Sequence, residues 1–99
     1  MYFAVFATDK PGVSQQRSDL QPGFIAYLRD HPDHPGVTVH NGGPTHAEDG
    51  ESIIGLLLTV EAPSREAAQA FMADSPYGKA GLFADLQIRQ WDWMTGRPG

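Results

Sequence analysis

Because the chain has no cysteine, histidines and carboxylates are its expected acid–base groups, and an arginine could hold an anion. Asp9 follows a run of apolar residues, where a carboxylate at the end of a buried strand can face a pocket or form the turn before Pro11. Arg17 follows in a predicted helix, where its planar guanidinium could pair with Asp9, hold an anionic ligand or lie in solvent. Asp9 and Arg17 are therefore the first candidates for catalytic residues.

The four histidines raise the hypothesis of a metal site. His31 and His34 lie in a loop stiffened by prolines, His40 lies on a predicted strand, and His46 lies in a polar loop. Their spacing fits no metal-binding signature and no cysteine can complete a ligand set, so we predict neither a metal nor a cofactor. His40 or His46 could serve as a base instead, and His40 is included among the catalytic candidates.

Length and charge limit the class of protein. With 99 residues and a net charge of −5, the chain is predicted to form one domain over residues 1–99 that does not bind nucleic acid. The longest apolar run, residues 53–58, is too short to cross a bilayer, and the first residues do not resemble a signal peptide. We therefore expect a soluble cytoplasmic protein without a membrane partner.

The strands that must position these side chains are recognised by their apolar patterns. They are predicted at residues 1–8, 37–41, 52–61 and 84–94. The first and third are apolar on both sides, as in central strands buried on both faces. Gly55 predicts a bulge or a close approach of two backbones, and a shift of apolar phase in the last strand predicts a bulge near Gln90. The turn at residues 42–44 is expected to end the second strand, and residues 45–51 are expected to form a polar loop.

Two helices complete the pattern. The first is predicted over residues 14–30, with Ser14 as its N-cap and a break near Gln21, because Pro22 removes a donor there. The second begins at Ser64, its predicted N-cap, and a short helical turn is expected over residues 76–82. The order β-α-β-β-α-β predicts an α+β, ferredoxin-like fold: a four-stranded antiparallel sheet with both helices on one face.

The face of the sheet that the helices leave open is expected to be too apolar for a soluble monomer. A two-fold homodimer that packs sheet against sheet would cover it and form a barrel-like core. The alternative is that loops or the C-terminal tail fold over the sheet.

Several fragments, taken in order along the chain, resemble the YciI-like (YCII-related) family. They are FAVFATDKP at residues 3–11, Arg17, AYL at 26–28, GGP at 42–44, SPY at 75–77 and AGLF at 80–83. The resemblance implies a ferredoxin-like fold arranged as a dimeric α/β barrel, with a small polar pocket and a His/Asp acid–base centre. The family's chemistry includes lyase-type dehydrohalogenation of an aromatic ring compound.

The positions that match the family imply where its site lies in this chain. They are Asp9, Arg17, Gly43, Pro44 and Tyr77. Ser75 directly precedes Pro76, where the family usually has aspartate, and it is included as a residue of the ligand pocket.

The main departure from the family is Phe24. The family typically reads Arg-Pro-x-His in the first helix, whereas residues 21–24 read Gln-Pro-Gly-Phe, and phenylalanine cannot exchange protons. Phe24 is therefore predicted to line the pocket without acting as acid or base. Two functions remain open: a lyase- or isomerase-type enzyme relative acting on a small molecule, and a non-catalytic dimeric binding or accessory module.

Overall fold

The computed structural model describes residues 1–97 and contains one antiparallel sheet with the order β2-β3-β1-β4. Its strands are β1 (Tyr2–Asp9), β2 (Thr38–His46), β3 (Ile53–Glu61) and β4 (Phe83–Trp91). Its helices are α1 (Ser14–Arg29), α2 (Arg65–Asp74) and the single turn α3 (Pro76–Lys79). This is the predicted ferredoxin-like βαββαβ arrangement, in which β1 is central and α3 is an added turn before the last strand.

One face of β1 and β3 forms the centre of the core. The core-facing residues alternate along both strands and pair in register, as Phe3 with Val60, Val5 with Leu58 and Ala7 with Leu56. On the opposite face, Phe6 and Leu57 are 47% and 46% exposed. The prediction that these strands are buried on both faces is therefore wrong for the single chain, because the helices cover only one face of the sheet.

Helix α1 runs without a break through Pro22, contrary to the break predicted near Gln21. Pro22 removes one backbone donor on the exposed side of the helix, while Arg17 and Phe24 on either side of it are buried and hold both halves against the protein. The N-cap position is Val13, without a side-chain cap, and the predicted cap Ser14 is the first helical residue. Tertiary packing thus outweighs the local cost of the proline.

Strand β2 is longer than predicted because it continues through the Gly-Gly-Pro sequence to His46. Pro44 lies opposite Leu56 in the ladder with β3. β2 is an edge strand, and proline is tolerated there because one side of an edge strand makes no ladder hydrogen bonds. The strand end expected at residue 41 and the loop expected from residue 45 are therefore both corrected.

The irregularity in the β1–β4 ladder lies at the opposite end from the predicted one. The register shifts between Thr8 and Asp9, not near Gln90. β4 ends at Trp91, and Trp93 belongs to the following tail, where its ring packs edge-on against Tyr2 with centroids 5.6 Å apart. The change of apolar phase therefore marks the end of β4. The tail that follows covers one end of the open sheet face through the contact of Trp93 with Tyr2. Residues 98–99 of the predicted polar tail lie outside the described residues.

Helix α2 begins as predicted, because Ser64 Oγ accepts the N–H of Ala67 at 3.1 Å.

Within residues 1–97, no helix is both long enough and apolar enough to cross a membrane.

Candidate functional site

Arg17 is a charged residue that the described fold buries, with 7% of its surface exposed. Its Nη2 donates a hydrogen bond of 2.6 Å to the carbonyl oxygen of Gly55 in β3. Its Nε lies 3.1 Å from Oδ2 of Asp9, at the end of β1. This second contact is close enough for an ion pair, although its alignment is not that of a hydrogen bond. The guanidinium is therefore fixed between two neighbouring strands.

Gly55 allows this arrangement because it has no side chain. A Cβ at this position would overlap the carbonyl oxygen of Ala7 on the neighbouring strand. The backbone of β1 therefore passes close to that of β3 where Gly55 pairs with Thr8, one residue before Asp9. The close approach predicted from the sequence is confirmed, and it also places the Gly55 carbonyl within reach of Arg17.

Tyr77 supplies the third contact to Arg17. The guanidinium carbon lies 4.9 Å from the centre of the Tyr77 ring, a distance at which a cation is attracted by the ring face. Phe24 stacks on Tyr77, with centroids 4.1 Å apart and an angle of 14° between the planes. Asp9, Gly55 and Tyr77 together hold the guanidinium rigidly, and Phe24 occupies the space beside the tyrosine.

Burial is the largest cause of the pKa shifts of Asp9 and Tyr77, the two groups beside Arg17. It raises the pKa of Asp9 above its usual range, and the positive charge of Arg17 opposes this only in part. Burial likewise raises the pKa of Tyr77; Arg17 lowers it and the Asp9 charge adds to the increase. Oδ1 of Asp9 is enclosed without a hydrogen-bond partner among residues 1–97. The Asp9 carboxyl group is thus enclosed beside the Arg17 guanidinium, and its contact with Nε helps to hold the guanidinium in place.

A cavity of about 310 Å³ lies between α1 and the edge of the sheet formed by β2 and β3. Its α1 wall consists of Arg17, Gln21, Phe24, Ile25, Leu28 and Arg29. The opposite wall consists of Gly42, Gly43, Pro44, Leu56, Leu58 and Tyr77. Most of these side chains are apolar, and Arg17 places a fixed positive charge among them. Such a cavity suits a small apolar molecule that carries a negatively charged oxygen.

Three other cavities are larger but contain no comparably buried charge. One, of about 540 Å³, lies beside Arg65 and residues 86–90 of β4. A second, of about 400 Å³, lies between α2 and β4 and includes Met72. The third, of about 500 Å³, lies around His34 and Asp74, whose carboxylate is 55% exposed. The cavity along α1 is therefore the better candidate, because a charge held out of water interacts more strongly with a ligand.

The structure brings together most of the residues predicted for the site. Arg17, Phe24, Gly43, Pro44 and Tyr77 all line the cavity along α1, and Asp9 contacts Arg17 from behind. Asp9 was predicted as a catalytic group, and the geometry gives it a positioning role instead, because it does not line the cavity.

Ser75 does not line this cavity, contrary to its predicted place in the ligand pocket. It is fully buried at the junction of α2 and α3. Its hydroxyl donates to the carbonyl oxygen of Met72 at 2.6 Å and accepts the N–H of Gly78 at 3.1 Å. Ser75 thus closes the end of α2 and caps α3, and in this way it positions Tyr77.

We expect Ser75→Ala to lower the free energy of unfolding by about 1–3 kcal/mol, because the Gly78 N–H loses its acceptor and the Met72 carbonyl loses one of its two donors. Urea unfolding measures this loss. Ser18→Ala, on the exposed side of α1, is the matched control and should change stability little. A Ser75→Ala variant as stable as the parent chain would contradict this role.

His40 lies outside the site. Its Nε2 is 3.0 Å from a carboxylate oxygen of Glu61, and its ring packs edge-on against Tyr2 and Trp93. Tyr2 and Asp9 are at opposite ends of β1, about 23 Å apart at 3.3 Å per residue. The hypothesis that His40 replaces the missing base and acts together with Asp9 and Arg17 therefore does not fit the structure.

The apolar walls of the cavity were not predicted from the sequence. Ile25, Leu28, Leu56 and Leu58 were assigned to elements but not to a site. One signal was available: residues 17, 21, 24, 25 and 28 recur at helical spacing and thus share one face of α1. The strand residues opposite could not be found in this way, because their distance from α1 depends on how the elements pack.

The chain is similar in sequence and in structure to known proteins. The family model of the YCII-related domain matches residues 1–92. The chain is similar to 5-chloro-2-hydroxyhydroquinone dehydrochlorinase (TftG) from Burkholderia phenoliruptrix AC1100, solved in complex with 2,5-dihydroxybenzoquinone. The identity is 31% and the TM-score 0.78, over 93% of this chain and 94% of that chain. No curated protein sequence matches the chain significantly.

Two further solved structures share the fold alone. The protein At3g17210 from Arabidopsis thaliana has 13% identity and a TM-score of 0.50, over 98% of both chains. A putative antibiotic biosynthesis monooxygenase from Nitrosomonas europaea has 16% identity and a TM-score of 0.50, over 92% of this chain and 98% of that chain. The fold is therefore of the dimeric α/β-barrel type.

Proposed function

The chain belongs to the YCII-related family, and from this membership and the cavity along α1 we propose that it binds a small hydroxylated ring compound through Arg17. The observation that carries the proposal is the buried guanidinium, fixed by Asp9, Gly55 and Tyr77 at the wall of an apolar cavity. Arginine has five N–H donors, and the contact to Gly55 uses only one of them in a hydrogen bond. The Nε lies enclosed beside Asp9, and the other N–H groups of the guanidinium suit a ligand oxygen that carries negative charge.

The size and lining of the cavity support a ring compound. About 310 Å³ is at the lower end of the range for small-molecule sites, and apolar side chains from α1, β2 and β3 form most of its walls. The similar dehydrochlorinase was solved with 2,5-dihydroxybenzoquinone, a six-membered ring with oxygen substituents. A planar ring of this kind would lie against Phe24 and Leu58, with one oxygen directed to Arg17.

The reaction class that suits this site is a lyase- or isomerase-type reaction of such a ring. In an elimination, the carbon that carries the leaving group first takes up a proton as the neighbouring ring hydroxyl gives up its own and becomes a carbonyl. A second ring hydroxyl then loses its proton, its electron pair forms another carbonyl, the ring double bond shifts onto the protonated carbon, and the leaving group departs with the electron pair of its own bond. Negative charge therefore develops on the ring oxygen, where a fixed guanidinium stabilises it without having to reorganise. In this scheme Arg17 touches the substrate and Asp9 keeps Arg17 in place.

A non-catalytic binding module is the second candidate function, and Phe24 favours it. Phe24 stacks on Tyr77 at the position where the family resemblance implies the acid–base histidine, and no histidine lines the cavity in residues 1–97. The chain would then bind the ring compound without exchanging its protons.

Substitution of Phe24 separates the two candidates. We expect the parent chain to bind 2,5-dihydroxybenzoquinone in calorimetry and to release chloride from 5-chloro-2-hydroxyhydroquinone. We expect Phe24→His to accelerate chloride release at least about tenfold, because a positioned acid–base group contributes factors of about 10² to 10⁴. Phe24→Leu is the matched control, because leucine is apolar and carries no proton to exchange.

Each result of this experiment has a defined meaning. Chloride release by the parent chain supports the enzyme. Binding without chloride release by the parent supports the binding module, whether or not Phe24→His releases chloride. If neither the parent nor Phe24→His binds the ring compound, the proposed function is wrong.

We propose in addition that two copies of the chain pack through the open sheet face. Phe6 and Leu57 lie opposite each other in the β1–β3 register and form an exposed apolar centre. Asn41, Thr59 and Gln87 on the same face give it a polar surround. A two-fold axis through this centre would bring the same surface of both copies together, as in an isologous dimer.

Sedimentation tests this assembly. We expect the parent chain to sediment at twice the mass of one chain, and Phe6→Lys to sediment as a monomer, because the lysine would place a charge in the apolar centre. Gln16→Lys adds the same charge on the exposed side of α1 and should leave the mass unchanged. A monomeric parent chain would contradict the assembly.

A further inference from the structure

A second cavity, of about 220 Å³, continues along the same face of α1 toward its N-terminal end. It lies between this end of the helix and the segment that leads into β3. Its lining is Ser14, Arg17, Ser18, Gln21, Glu51 and Ile53. The apolar cavity of the proposed site is thus followed by a smaller one whose walls are mostly hydroxyl, amide and charged groups.

Arg17 and Gln21 form the wall that the two cavities share, because both residues line both cavities. They are four residues apart and therefore adjacent on one face of the helix. Arg17 is fixed by Asp9 and Gly55. Gln21 is exposed and makes no side-chain hydrogen bond within the part of the chain that the structure describes. Gln21 can therefore move aside or bind a ligand that extends from one cavity into the other.

The wall opposite α1 is held by a tight turn. Oδ1 of Asp49 accepts the backbone N–H groups of Glu51 and Ser52, each at 2.8 Å, and Oδ2 accepts the Ser52 hydroxyl at 2.6 Å. These hydrogen bonds lower the pKa of Asp49 to about 2, so the turn keeps its acceptor at neutral pH. Glu51 is therefore held at the second cavity by its own backbone.

We propose that the substrate of this site carries, beside its planar ring, a short neutral arm with a hydroxyl group that passes Gln21 into the second cavity. The proposal rests on the proposed function, because it assigns the ring to the apolar cavity. The charges of the second cavity select the arm: an anionic arm would face Glu51, and a cationic arm would face Arg17. A hydroxyl group both donates and accepts, which matches the serine hydroxyls and the Gln21 amide.

Three ring compounds test the arm by calorimetry: 2,5-dihydroxybenzoquinone itself, its 3-(2-hydroxyethyl) derivative and its 3-propyl derivative. The two arms have the same number of heavy atoms, so they differ in polarity and hardly in size. We expect the parent chain to bind the hydroxyethyl compound at least tenfold more tightly than the propyl compound.

Ser18→Leu tests whether the preference for the hydroxyethyl compound arises in the second cavity. Ser18 is exposed, so the substitution should not disturb the fold, but its side chain would fill the second cavity. We expect this variant to lose the tenfold preference while it binds the unsubstituted ring as the parent does. Gln16→Leu, on the same helix but outside both cavities, is the control and should keep the preference.

The outcomes separate this inference from the proposed function. If the unsubstituted ring binds but the two arms bind equally, or if the preference survives Ser18→Leu, the inference is wrong and the proposed function stands. If no ring compound binds the parent chain, both are wrong.

Discussion

Arg17→Met is expected to lower the free energy of unfolding by about 3 kcal/mol at pH 8, because it leaves the Asp9 carboxylate buried without an opposite charge. It should also weaken binding of 2,5-dihydroxybenzoquinone at least tenfold, since a hydrogen bond to a charged group contributes about 1.5–3 kcal/mol. Urea unfolding and calorimetry on the same preparation measure the two effects.

The pH dependence shows whether the buried carboxylate causes the loss of stability. Burial already raises the pKa of Asp9, and removal of Arg17 removes the charge that opposes this increase. A folded-state pKa above the unfolded one means that the native chain binds the extra proton, so stability falls as the pH rises through that range. The loss in Arg17→Met should therefore be smaller at pH 4.5 than at pH 8.

The double variant Arg17→Met with Asp9→Leu is the control for charge. With both charges removed, most of the stability should return, while ligand binding should remain weak. An Arg17→Met variant as stable as the parent chain at pH 8, or equally destabilised at both pH values, would contradict the role given to the ion pair.

Gly55→Ala is expected to destabilise the chain by several kcal/mol or to prevent folding. The added Cβ would overlap the backbone oxygen of Ala7, which a rotation of side chains cannot relieve. The two central strands would have to separate where the Gly55 carbonyl accepts from Arg17. Circular dichroism and urea unfolding detect the loss.

Gly43→Ala is the matched control in the neighbouring strand β2. A Cβ at Gly43 would meet no heavy atom within 4 Å, so this variant should keep nearly the full stability. Equal stability of the Gly55→Ala and Gly43→Ala variants would show that the close approach of β1 and β3 is not required.

The parts of the fold that local sequence determines could be predicted. The apolar run of β1 indicated a central strand, and the serine before α2 indicated its cap, because neither depends on distant residues. It could not be predicted that α1 continues through Pro22 and that β2 continues through Pro44. A proline removes a donor in both, and only the packing of the helix and the edge position of the strand make that loss tolerable.

The site was predictable where a residue is positioned by the end of its own element. Asp9 ends a strand and Arg17 lies in the following helix, so their proximity followed from the order of elements and from the family resemblance. Ser75 and His40 were assigned to the site from a motif and from chemical type. Hydrogen bonds to Met72 and Gly78 explain the first better, and the length of β1 separates the second from Asp9.

The most direct test of the account is a crystal structure of the chain with 2,5-dihydroxybenzoquinone. We expect the ring in the cavity between α1 and the β2–β3 edge, with one ring oxygen at about 2.7–3.1 Å from a guanidinium nitrogen of Arg17. A ring bound elsewhere, for example in the cavity between α2 and β4, would contradict the claim that the buried arginine forms the binding site.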